Sequence, residues 1–241
     1  ERTNRKMIEA VRRTGRPIVF NVCEWGKNRP WEWGAGIDGQ SWRVTYDVLD
    51  MWGAPRDHNR GIGFMKAVDQ TEVLGGFQRP GRWNDPDMLV VGLGGNGFVK
   101  GGGCSHAEYR THFGLWCLLS APLLAACDLR NMDAQTKATL TNPEVIALDQ
   151  DPLGVPAWRA KKLAEVEVWQ KPLQGGDIGV GLLNRGDKPA RISARWADLH
   201  ISGTYRVRDL WAKADVGEHD QAIERRVAAH EMALLRLFPA P

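Results

Sequence analysis

The strongest constraint on this chain is a change of period near Gly154–Pro156. Before it, "PIVFNV", "SWRVTYDVLDMW", "DMLVVG" and "PLLAACDL" each read as a strand. Between them, Met7–Thr14, "GIGFMKAVDQTEVLG", "SHAEYRTHFGLWCLLSA", Asp133–Leu140 and Pro143–Asp149 read as helices. Ser105 with Glu108 three residues on is a capping-box signature, and Asn142 before Pro143 is a second helix-start signal. Apolar strands alternating with helices predict a parallel sheet covered on its faces. After the change, "EVEVWQKPL", "DIGVGLLNRG", "ARISARWADLH", "TYRVRDLW" and "EMALLRLF" are short alternating runs split by Gly, Asp and Pro. They predict an antiparallel module of six to eight strands, a small sandwich. The expected organisation is two domains, 1–155 and 156–241.

In the first part each strand carries an acid at or near one end: Glu24, Asp47, Asp87 and Asp128. In α/β barrels, catalytic groups come from the C-terminal ends of different strands and meet at one mouth. Glu24, Asp47 and Asp87, with Arg43 and several tryptophans, are expected to converge there. Any one of these acids alone reads equally well as a loop cap or a solvated turn residue. Carboxylates beside aromatic plates are the equipment of glycoside hydrolysis, in which one attacks the sugar or activates water and another protonates the leaving oxygen. Eleven tryptophans, seven of them before residue 117, supply such plates or extra core packing.

A rival signal overlaps this one. Gly92, Gly94 and Gly97 have the G-x-G-x-x-G spacing of a dinucleotide cradle. A cradle opens directly into a helix, with an acid about 20 residues on. Here "FVKGGGCSHAEY" follows and the helix starts only at about His106, so the glycines read as a flexible loop over the barrel mouth.

The bulk numbers exclude more than they assign. A net charge of +3, with basic and acidic residues interleaved, gives little support to nucleic-acid binding. The basic N-terminal segment reads as an amphipathic helix with Met7, Ile8 and Val11 inward. No apolar run is long enough to span a bilayer as a helix. Cys23, Cys104, Cys117 and Cys127 lack C-x-x-C spacing, and Cys117 and Cys127 read as buried thiols rather than a bridge. "ERTNRK" runs straight into helix-like sequence without an initiator Met or a leader, so the chain is expected to begin inside something longer.

These residues resemble the α-galactosidases of glycoside hydrolase family 27. "RTGRPIVFNVCEWG" resembles the family's fifth barrel strand, and "SWRVTYDVLDMW", with its R-x-x-x-D pair, the sixth. "GRWNDPDMLVVG" is similar to the seventh-strand signature, and "APLLAACDLRNMDAQTKATLTNPEVIALDQDPLG" to the eighth strand, its helix and the domain junction. The resemblance is strong over about residues 5–155 and looser in the β module.

The resemblance implies the C-terminal half of a (β/α)8 barrel followed by an antiparallel β-sandwich. It implies Asp47 as general acid/base, and Arg43 on the same strand face, binding a sugar hydroxyl and balancing charge. Asp87 and Met88 would line the galactose pocket, and Cys23, Glu24 and Trp25 would form another wall. Asp85 would support the loop, and Tyr46, standing where plant-type relatives have a small residue, would narrow the rim. No metal or organic cofactor is implied. The family's nucleophilic Asp, on the fourth strand in a K-x-D-type motif, matches nothing before Pro17, nor do the acids of the first strands. The partner implied, besides a galactoside, is an upstream half-barrel, whose leader would place the enzyme outside the cell or in the periplasm. A β-L-arabinopyranosidase and a non-catalytic sugar-binding remnant are the alternatives.

Overall fold

A computed structural model describes residues 1–53, 61–97 and 103–240. Its first part is built from very short parallel strands. Helix α1 (Arg2–Arg13) leads to β1 (Asn21–Val22), the short helix α2 (Pro30–Trp33) to β2 (Ser41–Arg43), then come β3 (Val48–Leu49), β4 (Ile62–Gly63), α3 (Phe64–Glu72) and β5 (Trp83–Asp85). Helices α4 (His106–Leu119), α5 (Ala134–Leu140) and α6 (Pro143–Asp149) complete it. Strands β1, β2 and β5 form one parallel sheet in that order, β3 and β4 a second parallel pair, and Leu89 meets Ala125 in a parallel bridge. This is a partial α/β barrel wall followed by a sandwich, as expected from the sequence.

Several strand expectations need correcting. "SWRVTYDVLDMW" is two strands, because the chain leaves the ladder after Arg43. There Thr45 Oγ1 donates to Pro86 O, and Val48 N donates to a carboxylate, Asp87 Oδ2, rather than to a strand. Arg43 is therefore in a strand and Asp47 is not. "DMLVVG" contributes only the Leu89 bridge; the strand lies earlier, at Trp83–Asp85, and ends where Pro86 has no N–H to give. "PLLAACDL" likewise contributes only Ala125. "PIVFNV" pairs over two residues, and Ile18 and Val19 are exposed, Val19 by 77%. Among the described residues β1 has a neighbour on one edge only. In α1 Met7 faces solvent, whereas Ile8 is buried and Val11 half-buried, three apart on one face. Cys117 is buried but Cys127 only half-buried, and both are free thiols.

The sheet separates two chemistries by strand alternation. Trp42 points back into the helix layer with Ile8, Val22 and Ile37, its indole donating to Asn84 Oδ1. Asn21, by contrast, donates to Ser41 Oγ at 2.8 Å and to Asp85 Oδ2 at 2.6 Å, so the opposite face is polar. That face, with Trp83, Ala121–Leu124 and Asp149, borders a groove of about 640 Å³.

The sandwich comprises β6 (Trp158–Leu163), β7 (Val166–Pro172), β8 (Ile178–Asn184), β9 (Ala190–Arg195), the short α7 (Trp196–Leu199), β10 (Tyr205–Asp209), β11 (Ala214–His219), β12 (Ala222–Val227) and β13 (Met232–Pro239). Six strands run in the order β11-β10-β13-β8-β7-β6, all antiparallel, and β9 with β12 forms the second sheet. Strand β8 is buried at all seven positions, because β9 and β12 cover one face and α4 the other. Phe113, Trp116 and Leu118 of α4 share one apolar core with Trp169, Met232 and Leu234. The helix comes so close that a Cβ on Gly181 would lie 2.9 Å from both Leu118 Cδ1 and Met232 Sδ.

Two buried ionic groups join barrel wall and sandwich. Glu167, fully buried, receives Arg159 and Arg185, which also grip Asp69 of α3. Lys171, 0% exposed, donates to Leu118 O at 3.1 Å, Val155 O at 2.8 Å and Ser120 Oγ. Burial lowers its pKa to about 8, with Asp149 opposing. Burial raises Asp149 to about 7, and its Oδ1 has no partner among the described residues, so the neutral acid is favoured. A carboxyl whose folded pKa lies above its unfolded value stabilises fully below the unfolded value and loses that contribution as pH rises through the folded one. Between pH about 4 and about 7 the melting temperature is therefore expected to carry a downward contribution from Asp149. Thermal melts of Asp149→Asn across that range should be flatter than wild type; equal slopes would remove Asp149 as the cause.

Candidate active site

The expected site residues lie at the C-terminal ends of β1, β2 and β5. Arg43, the last residue of β2, is buried and holds two carboxylates. Its Nη1 is 2.9 Å from Asp87 Oδ1 and its Nη2 is 3.1 Å from Asp47 Oδ1. Its Nε is buried without a partner among the described residues. Asp47 is the accessible member of the trio, with 45% of its side chain exposed. The indole Nε1 of Trp25 also donates to Asp47 Oδ1, at 3.1 Å. Lys27 Nζ lies over the rings of Trp25 and Tyr46, at 5.5 and 5.6 Å from their centroids. Partial burial pushes the Cys23 thiol up, Arg43 opposes this, and Asp47, Asp87 and Asp85 add to it, which puts the thiol in the field of the same cluster.

Asp87 is set by its backbone as much as by its partner. Its φ of 90° is in the left-handed region, a strained conformation for a non-glycine residue. The strain is held from four sides. Asp87 N donates to Asp85 Oδ1 at 2.8 Å, and Val48 N donates to Asp87 Oδ2 at 2.7 Å. Trp116 Nε1 of α4 donates to Asp87 O at 2.8 Å, and one turn earlier His112 Nε2 accepts from Val90 N. Burial lowers His112 to about 3, which keeps it neutral and able to accept. Burial also raises the carboxyls of Asp85 and Asp87 despite Arg43. Asp85 thus supports the loop.

Not every expected residue joins the cluster. Glu24 turns its oxygens to Asn4 Nδ2 and Asn28 Nδ2, both at 2.8 Å, so its carboxylate ties α1 to the turn after β1. Met88 and Tyr46 are exposed beside the cluster. Asp128 is outside it, chelated by Arg130 and Asn131 at the surface.

The glycine spacing has a different use from a phosphate cradle. Gly95 N donates to Asp50 Oδ2 at 2.8 Å and Cys104 N to Asp50 Oδ1 at 3.0 Å. Tyr109 Oη donates to Asp50 and receives Gly94 N at 2.8 Å. The protein's own carboxylate occupies the backbone donors an anion would use. The intervening residues 98–102, expected to form part of a loop over the mouth, lie outside the described residues. Asp50→Ala is expected to cost about 1–3 kcal/mol, since it takes the acceptor from the buried Tyr109 hydroxyl and the part-buried N–H groups of Gly95 and Cys104, and to speed proteolysis between Gly95 and Cys104. Unchanged urea stability and cleavage would contradict this role. Asp50, Asn21, His112 and Trp116 escaped sequence reasoning, because each acts on residues more than 20 positions away.

Among the described residues no group of three or more His, Cys, Asp or Glu is arranged to hold a metal ion, and no helix is long and apolar enough to cross a membrane.

Two family profiles cover this arrangement. Residues 1–151 match "Alpha galactosidase A" and residues 164–237 match "Alpha galactosidase C-terminal beta sandwich domain". The chain belongs to the α-galactosidases of glycoside hydrolase family 27. The alpha-galactosidase of Oryza sativa subsp. japonica is 40% identical over 236 residues, covering 97% of this chain and 52% of the relative. Alpha-galactosidase 2 of Arabidopsis thaliana is 43% identical over 208 residues, covering 86% and 48%. Alpha-galactosidase I of Mortierella vinacea superposes with a TM-score of 0.90 at 31% identity, over 98% of this chain and 62% of that one. A family 27 β-L-arabinopyranosidase of Geobacillus stearothermophilus gives 0.82 at 27%, over 98% and 53%. The chain thus spans about half the length of the curated α-galactosidases it matches.

Proposed function

We propose that this chain carries the acid/base side of a retaining α-galactosidase site, which an upstream half-barrel completes. The observation that carries the reading is Arg43, the last residue of β2, holding the accessible Asp47 and the buried Asp87 on the loops that follow the adjacent parallel strands β2 and β5. Asp47 protonates the departing glycosidic oxygen while a nucleophilic Asp from the upstream segment bonds to the anomeric carbon. Asp47 then takes a proton from the water that releases galactose. Retention requires the two carboxyl groups about 5–5.5 Å apart. Asp87, Met88, Cys23, Trp25 and Glu24 line or support the sugar pocket, with Arg43 as its cationic anchor.

The open edge of β1, with exposed Ile18 and Val19, and the groove beside it suit an upstream strand and its side chains. Unpaired parallel edges are unstable in water. The chain purified alone is therefore expected to self-associate, and co-expression with the upstream half to give a soluble complex that hydrolyses 4-nitrophenyl α-D-galactopyranoside. Proton NMR of the first product should show the α anomer of galactose. A monomeric, active chain on its own would refute the division of the site. Preference for the β-L-arabinopyranoside would move the assignment to the arabinose branch. Sugar binding without turnover by the complex would make the site a binding remnant.

A further inference from the structure

Two donors converge on a single oxygen of Asp47. Arg43 Nη2 and Trp25 Nε1 each lie 3.1 Å from Oδ1. Among the described residues no hydrogen bond reaches Oδ2. A carboxylic acid accepts at its carbonyl oxygen and donates from its hydroxyl, so two donors at Oδ1 leave the proton to Oδ2. Trp25 is committed to this geometry by its backbone: its φ of 53° is left-handed, and the next residue, Gly26, donates to Arg43 O at 3.0 Å. A Cβ on Gly26 would lie 2.3 Å from Val44 O, so this turn admits no side chain there. The turn after β1 is locked against the end of β2 with the indole aimed at Asp47.

We propose that Trp25 is a positioning residue for proton transfer, fixing Asp47 Oδ2 as the atom that gives and takes the proton. The assignment rests on Asp47 being the acid/base. In the first step the Oδ2–H bond breaks and the proton passes to the glycosidic oxygen, which keeps the electron pair of the broken C–O bond. The negative charge left on Asp47 is met at Oδ1 by the indole N–H and the guanidinium. In the second step the water oxygen bonds to the anomeric carbon as that carbon's bond to the upstream nucleophilic Asp, which leaves as carboxylate, breaks, and the water's proton returns to Oδ2. Among the described residues, the other charged or titratable groups facing Asp47 and Trp25 are Cys23, Asp87 behind Arg43, and Lys27 and Tyr46 at the rim. None of them is seen to donate to Asp47.

The test uses the active assembly and two replacements of Trp25: phenylalanine, and benzothienylalanine, which keeps the bicyclic plate but has sulfur in place of N–H. A hydrogen bond to the ionised form favours ionisation. Losing it should move the alkaline limb of kcat/KM to higher pH. For a galactoside with a poor leaving group, kcat should fall about tenfold, a fraction of what general acid catalysis supplies. For a dinitrophenyl galactoside, which leaves without protonation, the loss should shrink to within about twofold. With benzothienylalanine, KM should hold. An unmoved limb, or equal losses on both substrates, would reduce Trp25 to a packing residue. Azide rescue of Asp47→Ala separates the two levels. If azide fails to restore turnover, the acid/base reading fails and this assignment with it; if azide restores it, the Trp25 result stands alone.

Discussion

Asp47→Ala, assayed in the complete enzyme on a galactoside with a poor leaving group, is expected to lose 10²- to 10⁴-fold in kcat, roughly the worth of general acid–base catalysis. The loss should nearly vanish for glycosylation from a dinitrophenyl galactoside, because that leaving group needs no proton, and azide should rescue the slow release of sugar. Stability should hardly change. Asp47 is on a loop, nearly half exposed, and its pairing with Arg43 is solvent-screened on one side, so its removal is expected to cost less than about 1 kcal/mol. Urea unfolding beside the kinetics therefore distinguishes lost chemistry from lost folding. Wild-type turnover on the poor leaving group would move the acid/base role to another residue.

Arg43→Leu should behave in the opposite way, failing in folding as well as in chemistry. Arg43 and Asp87 are both buried, and the guanidinium is the cation that meets the Asp87 carboxylate. Removing one partner of a buried ion pair leaves an uncompensated charge, at a cost of about 3–5 kcal/mol. Among the described residues, the remaining donors to the Asp87 carboxylate are the backbone N–H groups of Val48 and Met88, which carry no formal charge. The pH dependence follows from the sign of the shift. Asp87 is already raised by burial with Arg43 opposing, so losing Arg43 raises it further. Its contribution to stability is then greatest below the unfolded carboxyl pKa of about 3.9 and is lost as pH rises through the folded value. Urea midpoints of Arg43→Leu should therefore fall further below wild type at pH 7 than at pH 4.5. A deficit independent of pH would mean that the guanidinium acts by packing alone.

Much of this site was legible before any coordinates. Acids recur at strand ends because a parallel wall presents its C-terminal ends to one mouth, and the R-x-x-x-D and WNDPDML segments carried Arg43, Asp47, Asp85 and Asp87 to that position. The capping box at Ser105–Glu108 and the caps of α5 and α6 were also readable, since a cap depends on residues within one turn. Strand extents were not. "SWRVTYDVLDMW" has the composition of one strand, yet the chain leaves the ladder after Arg43 because Thr45 bonds Pro86, 41 residues away. Glu24 belongs to the right motif but turns to Asn4 and Asn28, a choice set by where α1 packs.

The sequence by itself determined the alternation of strand and helix, the switch to a sandwich, the family and the set of polar residues at the mouth. Those follow from period, capping and motif, all of which are local. The tertiary structure decided which oxygen of Asp47 is held, that Trp116 pins the strained Asp87, and that Asp50 fills the glycine loop's donors. It also decided that Asn21, Ser41 and Asp85 meet on one face of the sheet. Each of these depends on groups 20 to 64 residues apart meeting within hydrogen-bond range, which no pattern along the chain encodes. "GRWNDPDMLVVGLGGNG" therefore contains two devices: a carboxylate turn held by Arg43 and Val48, and a loop anchored by a carboxylate from elsewhere in the fold.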